Sequence, residues 1–219
     1  MTIFFTATSG NVTLQNYLTE VQRLLHDSLN TYWSQPELID YINDGRKRLV
    51  SDTGCLRSLQ SLTLTQGQET YPLSGLPSGT TTIDILNLTV IWGSSRIPLQ
   101  YMPFTELNAR LRTWTSMQSR PIAFSIYGQN TIYVGPIPDQ TYAAEVDTVV
   151  MPPTLVNLTD VETINYPFTP PVAFYAAYKA KLKEQSYKES EVFLQMYQSK
   201  VQESLRAQTM RRIPNVYSS

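Results

Sequence analysis

Apolar residues recur first with a helical period. Leu14, Tyr17, Leu18, Val21, Leu24 and Leu25 stand at i, i+3, i+4, i+7, i+10 and i+11, one stripe of an amphipathic helix that Thr13 is placed to cap. A second helix is announced by Ser34-Gln35-Pro36-Glu37, a capping-box pattern with proline in the first turn. Ile39, Ile42, Leu49 and Val50 form its buried side, and Gly54 is its left-handed stop. Gly45 costs about 1 kcal/mol relative to alanine in mid-helix, which reads as room for close packing. Arg46-Lys47-Arg48 reads as a solvated or partner-facing helix side.

From Ser58 the period falls to two. Leu62 and Leu64 alternate with threonines, and Gln66-Gly67 turns the chain into Thr70-Tyr71. Ile83–Trp92 predicts a long strand, and Gly93-Ser94-Ser95 a hairpin into Ile97, Leu99 and Tyr101. Pro103–Leu111 predicts a short helix. Ala123–Tyr127 and Thr131–Val134 read as a second hairpin around Gly128-Gln129-Asn130, and Tyr142–Val150 alternates again. Short strands at this spacing predict an antiparallel sandwich or partly closed barrel.

Helical periodicity then returns. Pro170-Pro171 opens a helix whose apolar face reads as Phe174, Ala177, Tyr178 and Leu182. Ser186-Tyr187-Lys188-Glu189 marks a new helix start, followed by a ridge of Phe193, Tyr197, Val201 and Leu205. Terminal helices cannot bury their stripes alone. The expected architecture is therefore α+β: a helical bundle formed by the N- and C-terminal helices, with an inserted antiparallel β-sandwich or barrel domain. The expected boundaries are 1–57 plus 167–213 for the helices, 58–166 for the insertion and 214–219 for a tail.

Composition narrows the function. The 219 residues carry a net charge of −1, so the whole chain is not an electrostatic nucleic-acid binder. Charge is uneven, however. Eight of 17 basic residues follow Pro167 against four acidic ones, a local excess of +4. Lys179 and Lys183 share one helix face while Lys181 points elsewhere, so they form no single DNA-binding stripe. The opening residues hold an apolar burst, Ile3-Phe4-Phe5, without the basic flank of a signal peptide. No run approaches the ~20 apolar residues of a membrane span.

Candidate chemistry is sparse. One cysteine, Cys55, rules out an intrachain disulfide and a cysteine-based zinc site, and one histidine, His26, leaves little for metal or general-base chemistry. Neither a metal site nor a cofactor is expected, and no residue is assigned a catalytic role. His26 reads as a helix-end residue and Cys55 as a packing residue. Glu145 and Asp147, two apart on one strand face, are the nearest approach to a carboxylate pair that cleaves glycosidic bonds. The sequence holds 14 tyrosines, a residue enriched at protein interfaces.

Four stretches carry a resemblance: Tyr32–Gly45 (YWSQPELIDYINDG), Arg120–Pro136 (RPIAFSIYGQNTIYVGP), Met151–Leu155 (MPPTL) and the Ala/Tyr/Lys-rich closing hairpin. In this order the chain resembles the head-to-tail adaptor (connector, or tail-tubular A-like) proteins of short-tailed double-stranded DNA bacteriophages. The resemblance implies a non-enzymatic structural protein, made in the host cytoplasm and located at the head–tail interface of the virion. It implies a dodecameric ring of copies bound to the portal protein on one side and the tail nozzle protein on the other. Double-stranded DNA would pass through without sequence specificity, and no membrane is involved. By that analogy Arg206, Arg211, Arg212 and Tyr217 are portal-docking candidates, and Trp92, Trp114 and Tyr127, taken as exposed aromatics, are ring-interface candidates. Two other readings remain open: a virion-associated, carboxylate-dependent cell-wall glycan hydrolase, and a cellular β-sandwich binding module.

Overall fold

The computed structural model describes residues 12–29, 31–76, 81–111, 114–128 and 131–210. The described residues form five α-helices: α1 (Leu14–Leu25), α2 (Gln35–Thr53), α3 (Phe104–Arg110), α4 (Pro170–Lys183) and α5 (Tyr187–Met210). Eight strands accompany them: β1 (Arg57–Leu64), β2 (Thr70–Pro72), β3 (Thr82–Trp92), β4 (Ser95–Pro98), β5 (Gln100–Tyr101), β6 (Ala123–Tyr127), β7 (Thr131–Gly135) and β8 (Tyr142–Val150). The fold is α+β. The chain divides into two compact units, Met1–Cys55 with Pro152–Ser219, and Leu56–Met151.

In the first unit α4 packs against α1, α2 and α5. The stripe of α1 is buried through Leu14, Tyr17, Leu18, Val21 and Leu25. Its open N-terminal amides are met by a loop: Leu14 and Gln15 donate to the carbonyls of Asp160 and Leu158, each at 3.0 Å. His26 ends α1 and Gly54 ends α2, both in the left-handed region. The predicted capping box of α2 does not form. The Ser34 hydroxyl makes no cap bond, and the Glu37 carboxylate, instead of returning to the Ser34 N–H, accepts from Lys183 Nζ and, at 2.6 Å, from the Tyr41 hydroxyl. A charge-assisted bond to the neighbouring helix outcompetes the local one.

The buried face of α4 also differs from the large-residue face read from sequence. It is made of Val172, Ala173, Ala176, Ala177 and Ala180, whereas Leu182 is exposed and Phe174 and Tyr178 are half-buried. Small residues let three helices approach this one closely. Gly45 is the matching feature on α2: a Cβ there would lie 3.1 Å from the Val172 carbonyl oxygen and 3.4 Å from the Tyr175 Cβ. Gly45→Val is therefore expected to destabilise by about 1–3 kcal/mol despite valine's better helix propensity, read as a shift in the denaturant midpoint.

In the second unit the strands form two open four-stranded sheets, ordered β1-β8-β3-β4 and β2-β7-β6-β5. Neither closes into a barrel. Pairing is antiparallel except between β5 and β6. Leu64, Leu88, Val90, Tyr142, Ala144 and Val146 of the first sheet join Tyr71, Phe124, Ile132 and Val134 of the second in one core, a sandwich arrangement. Gln66-Gly67 carries the chain from one sheet to the other, and the Tyr71 hydroxyl holds that turn by donating to the Gln68 carbonyl at 2.9 Å. A second cluster of Met102, Leu107, Trp114 and Ala123 seats α3 on the β5–β7 sheet.

Candidate assembly surfaces

The return from sheet to helix, residues 152–169, has almost no regular structure yet is tightly held. Its anchor is Arg46. Spacing on α2 puts Arg46 between Ile42 and Leu49 on the buried side, and its side chain is 1% exposed. The guanidinium grips Glu162, itself 1% exposed, through two parallel bonds: Nε to Oε2 and Nη2 to Oε1, both 2.7 Å. Nη1 donates to the Pro153 carbonyl at 2.6 Å and to Asn43 Oδ1 at 3.0 Å. Asn43 in turn clasps Leu155 from both sides, donating to its carbonyl at 2.9 Å and accepting from its N–H at 3.0 Å. Burial, and then the charge of Glu162, pushes the nearby Tyr17 hydroxyl well above its ordinary range.

This corrects two expectations. Arg46 is not part of a solvated basic run. It sits i+4 from Ile42 and i−3 from Leu49, and that spacing is the signal that marks it as buried. Residues 152–166, inside the expected insertion of 58–166, group with the helices, where Arg46 and Asn43 bond to Pro153 and Leu155.

Four of the eight basic residues of the closing hairpin are paired within the unit, and two of the carboxylates that meet them, Glu37 and Asp44, come from α2. Lys179 pairs with Asp44 at 2.6 Å, Lys183 with Glu37, and Lys181 with both Glu184 and Glu189 at 2.9 Å. Lys181 also lies over the Trp33 ring at 5.4 Å. Lys200 pairs with Glu203 at 2.7 Å. Arg206 is exposed on α5. Arg211, Arg212 and Tyr217 lie outside the described residues.

Of the three aromatic candidates, two are exposed. Trp92, at the end of β3, is 51% exposed, with the Arg120 guanidinium 4.6 Å from its ring centroid. Tyr127, at the end of β6, is 57% exposed and rests on Phe104 at 4.8 Å between ring centroids. Trp114 does not present a surface. It is 4% exposed, its indole N–H donates to Asn108 Oδ1 at 2.9 Å, and it packs on Tyr133. Gly135 leaves room for this, since a Cβ there would meet Leu107 at 3.3 Å and Trp114 at 3.6 Å.

The two strand carboxylates sit on the outer face of β8 and are each met by an arginine of the same sheet, Arg57 from the neighbouring β1 and Arg96 from β4, beyond β3. Glu145 pairs with Arg96 at 2.8 Å and Asp147 with Arg57. Such cross-strand ion pairs are ordinary sheet surface. Burial pushes the half-buried Cys55 thiol up, away from the reactive thiolate. A groove of about 380 Å³ between the start of α2 and residues 154–156 is lined by Pro36, Ile39, Asn43 and Leu155, without a cluster of ionisable groups. Among the described residues no set of His, Cys, Asp and Glu side chains is grouped to hold a metal, and no helix is long and apolar enough to cross a membrane.

No curated protein matches the sequence. The family model of the SU10 adaptor protein matches residues 12–217, which takes in both units and the terminal arginines. With an α+β fold whose notable surfaces are aromatic and ionic, the chain thus belongs to the SU10 adaptor protein family, the structural adaptors of bacteriophage virions.

Proposed function

We propose that copies of this chain form a ring, dodecameric by analogy, that joins the portal vertex of the head to the tail and lets genomic DNA pass. The observation that carries this reading beyond adaptor membership is the pairing of Lys179, Lys181 and Lys183 with carboxylates of their own chain. Affinity for DNA scales with the number of phosphates neutralised, and a conduit works only if its wall does not hold the cargo. A subunit that pairs four of its six lysines internally suits that task. Portal contact is assigned to Arg206, Arg211, Arg212 and Tyr217, contact between neighbouring copies to Trp92 and Tyr127, and contact with the tail nozzle to the remaining free face of the ring.

Electron micrographs of the purified chain mixed with its cognate portal protein test the reading. A ring coaxial with the portal is the expected result, and a chain that never associates with that portal ends it. Reversing Arg206, Arg211 and Arg212 to glutamate together is expected to weaken portal binding about tenfold or more, most strongly at low salt, where long-range attraction is least screened. Unchanged binding across salt concentrations would move the portal contact elsewhere on the chain.

A further inference from the structure

The β-unit has four sheet edges, and three are blunted. β4 has four residues and ends in Pro98, β2 has three and ends in Pro72, and β5 has two. Short length and proline are the usual ways an edge is kept from pairing with another chain. β1 has neither. It runs for eight residues without proline, glycine or lysine and pairs with β8 at every position, with no bulge.

The unused side of β1 can be read from its register. The Val150 N–H donates to the Leu56 carbonyl at 3.1 Å, which makes that a hydrogen-bonded pair. Such pairs recur every second residue in an antiparallel ladder. Ser58, Gln60, Leu62 and Leu64 therefore direct their backbone groups to β8, and Arg57, Leu59, Ser61 and Thr63 direct theirs away from it. No described strand lies on that side. Two side chains add to the case. Leu59 is 65% exposed on the outer face. Gln60, 4% exposed on the inner face, donates to Thr148 Oγ1 at 3.0 Å, but its Oε1 is buried with no hydrogen-bond partner. A buried acceptor without a donor is costly, so a donor brought alongside would be favoured.

The sequence contains a segment suited to this edge. Thr2-Ile3-Phe4-Phe5-Thr6-Ala7-Thr8 is rich in β-branched and aromatic residues and free of charge, proline and glycine. It joins the described chain at Val12 and Thr13, which bond to Glu162 and bridge Val161 in the helical unit. Donor segment and acceptor edge thus belong to different units. Two different surfaces of the chain can then pair head-to-tail between copies, the kind of contact that repeats around a closed ring.

We propose that β1 is a docking edge for residues 2–8 of a second copy of this chain, which adds to the sheet as a fifth strand. A register that sets Thr6 opposite Gln60 would bring a hydroxyl donor to the orphaned Oε1 and put Phe5 and Ala7 on the face of Leu59. This rests on the ring reading above.

The test uses the full-length chain, alone and with portal protein, in a Cys55→Ser background. One tagged chain carries Leu59→Cys and a differently tagged chain carries Cys in place of Ile3, Phe5 or Ala7, each separately. A disulfide between the two tags in the assembled state is the expected result for at least one position. Deleting residues 1–8, which leaves every described residue in place, is expected to weaken self-association about tenfold or more. Ser61→Pro, which removes one outward N–H and no bond to β8, is expected to do the same. Assemblies that form normally with both variants and give no cross-link overturn the docking edge and leave the ring reading standing. A link found only within a doubly substituted chain overturns the assignment to a second copy. A wild-type chain that never self-associates overturns both.

Discussion

Arg46→Met is expected to be the most damaging single change in the helical unit, at about 3–5 kcal/mol. The substitution keeps much of the side-chain volume but leaves the Glu162 carboxylate buried without its cation. It also frees the Pro153 carbonyl and Asn43 Oδ1 from their donor. A loss of that size is a large fraction of ordinary domain stability. Denaturant unfolding followed by far-ultraviolet circular dichroism should show an earlier transition, and a midpoint unchanged from wild type would remove Arg46 from its structural role. The companion variant separates charge from packing. Arg46→Met with Glu162→Leu removes both ions, and the pair is expected to recover most of the loss. It should not recover all of it, because an unmet buried carbonyl at Pro153 still costs about 1–3 kcal/mol.

The same pair sets an acid limit. Burial alone would raise the Glu162 carboxyl, but the hydrogen bonds and charge of Arg46, helped by the Ile164 N–H, outweigh it and hold the group below its ordinary value. A carboxyl depressed in the folded state binds its proton more readily when unfolded. Its stabilisation is complete above the unfolded value of about 4.3 and is lost as pH falls through the lower folded value. Wild type should therefore lose stability on acidification below about pH 4.3, and the Arg46→Met/Glu162→Leu variant should lack that part of the decline.

What the sequence made legible was local. The period-two runs of β3, β6, β7 and β8 and the hairpin glycines Gly93 and Gly128, both at positive φ, announce themselves within a few residues. The partners of those strands do not. β1 lies beside β8, and β1 and β2, one turn apart in sequence, enter different sheets. Side-chain alternation shows which face is buried but not across which long loop the pairing closes. Charge misled at Arg46, where residue type outvoted the spacing that places it on the apolar stripe. Size misled on α4, where alanines rather than Phe174 and Tyr178 face the neighbouring helices. The loop of 152–169 had no periodicity to read, since what orders it is a set of bonds to Asn43, Arg46 and the start of α1. At the candidate surfaces, a tryptophan's sequence neighbourhood does not say whether it is a core or an interface residue.

Trp92 and Trp114 turn that last ambiguity into opposite expected results. Trp114→Ala should cost about 3–5 kcal/mol of stability, because it empties a buried volume beside Leu107 and Tyr133 and leaves Asn108 without its donor. The fraction that remains folded should still self-associate with wild-type affinity. Trp92→Ala should lower stability by about 1 kcal/mol, the scale of an exposed stack with Arg120. Its effect should fall on association instead, at about 2–4 kcal/mol if Trp92 is a central anchor between copies. Arg120 makes that role physically sensible, since a ring already held by a guanidinium loses little freedom on binding. Melting curves and sedimentation velocity on both variants measure the two axes separately. A Trp92→Ala chain that assembles as wild type would take Trp92 out of the interface and leave Tyr127, resting on Phe104, as the aromatic anchor to test next.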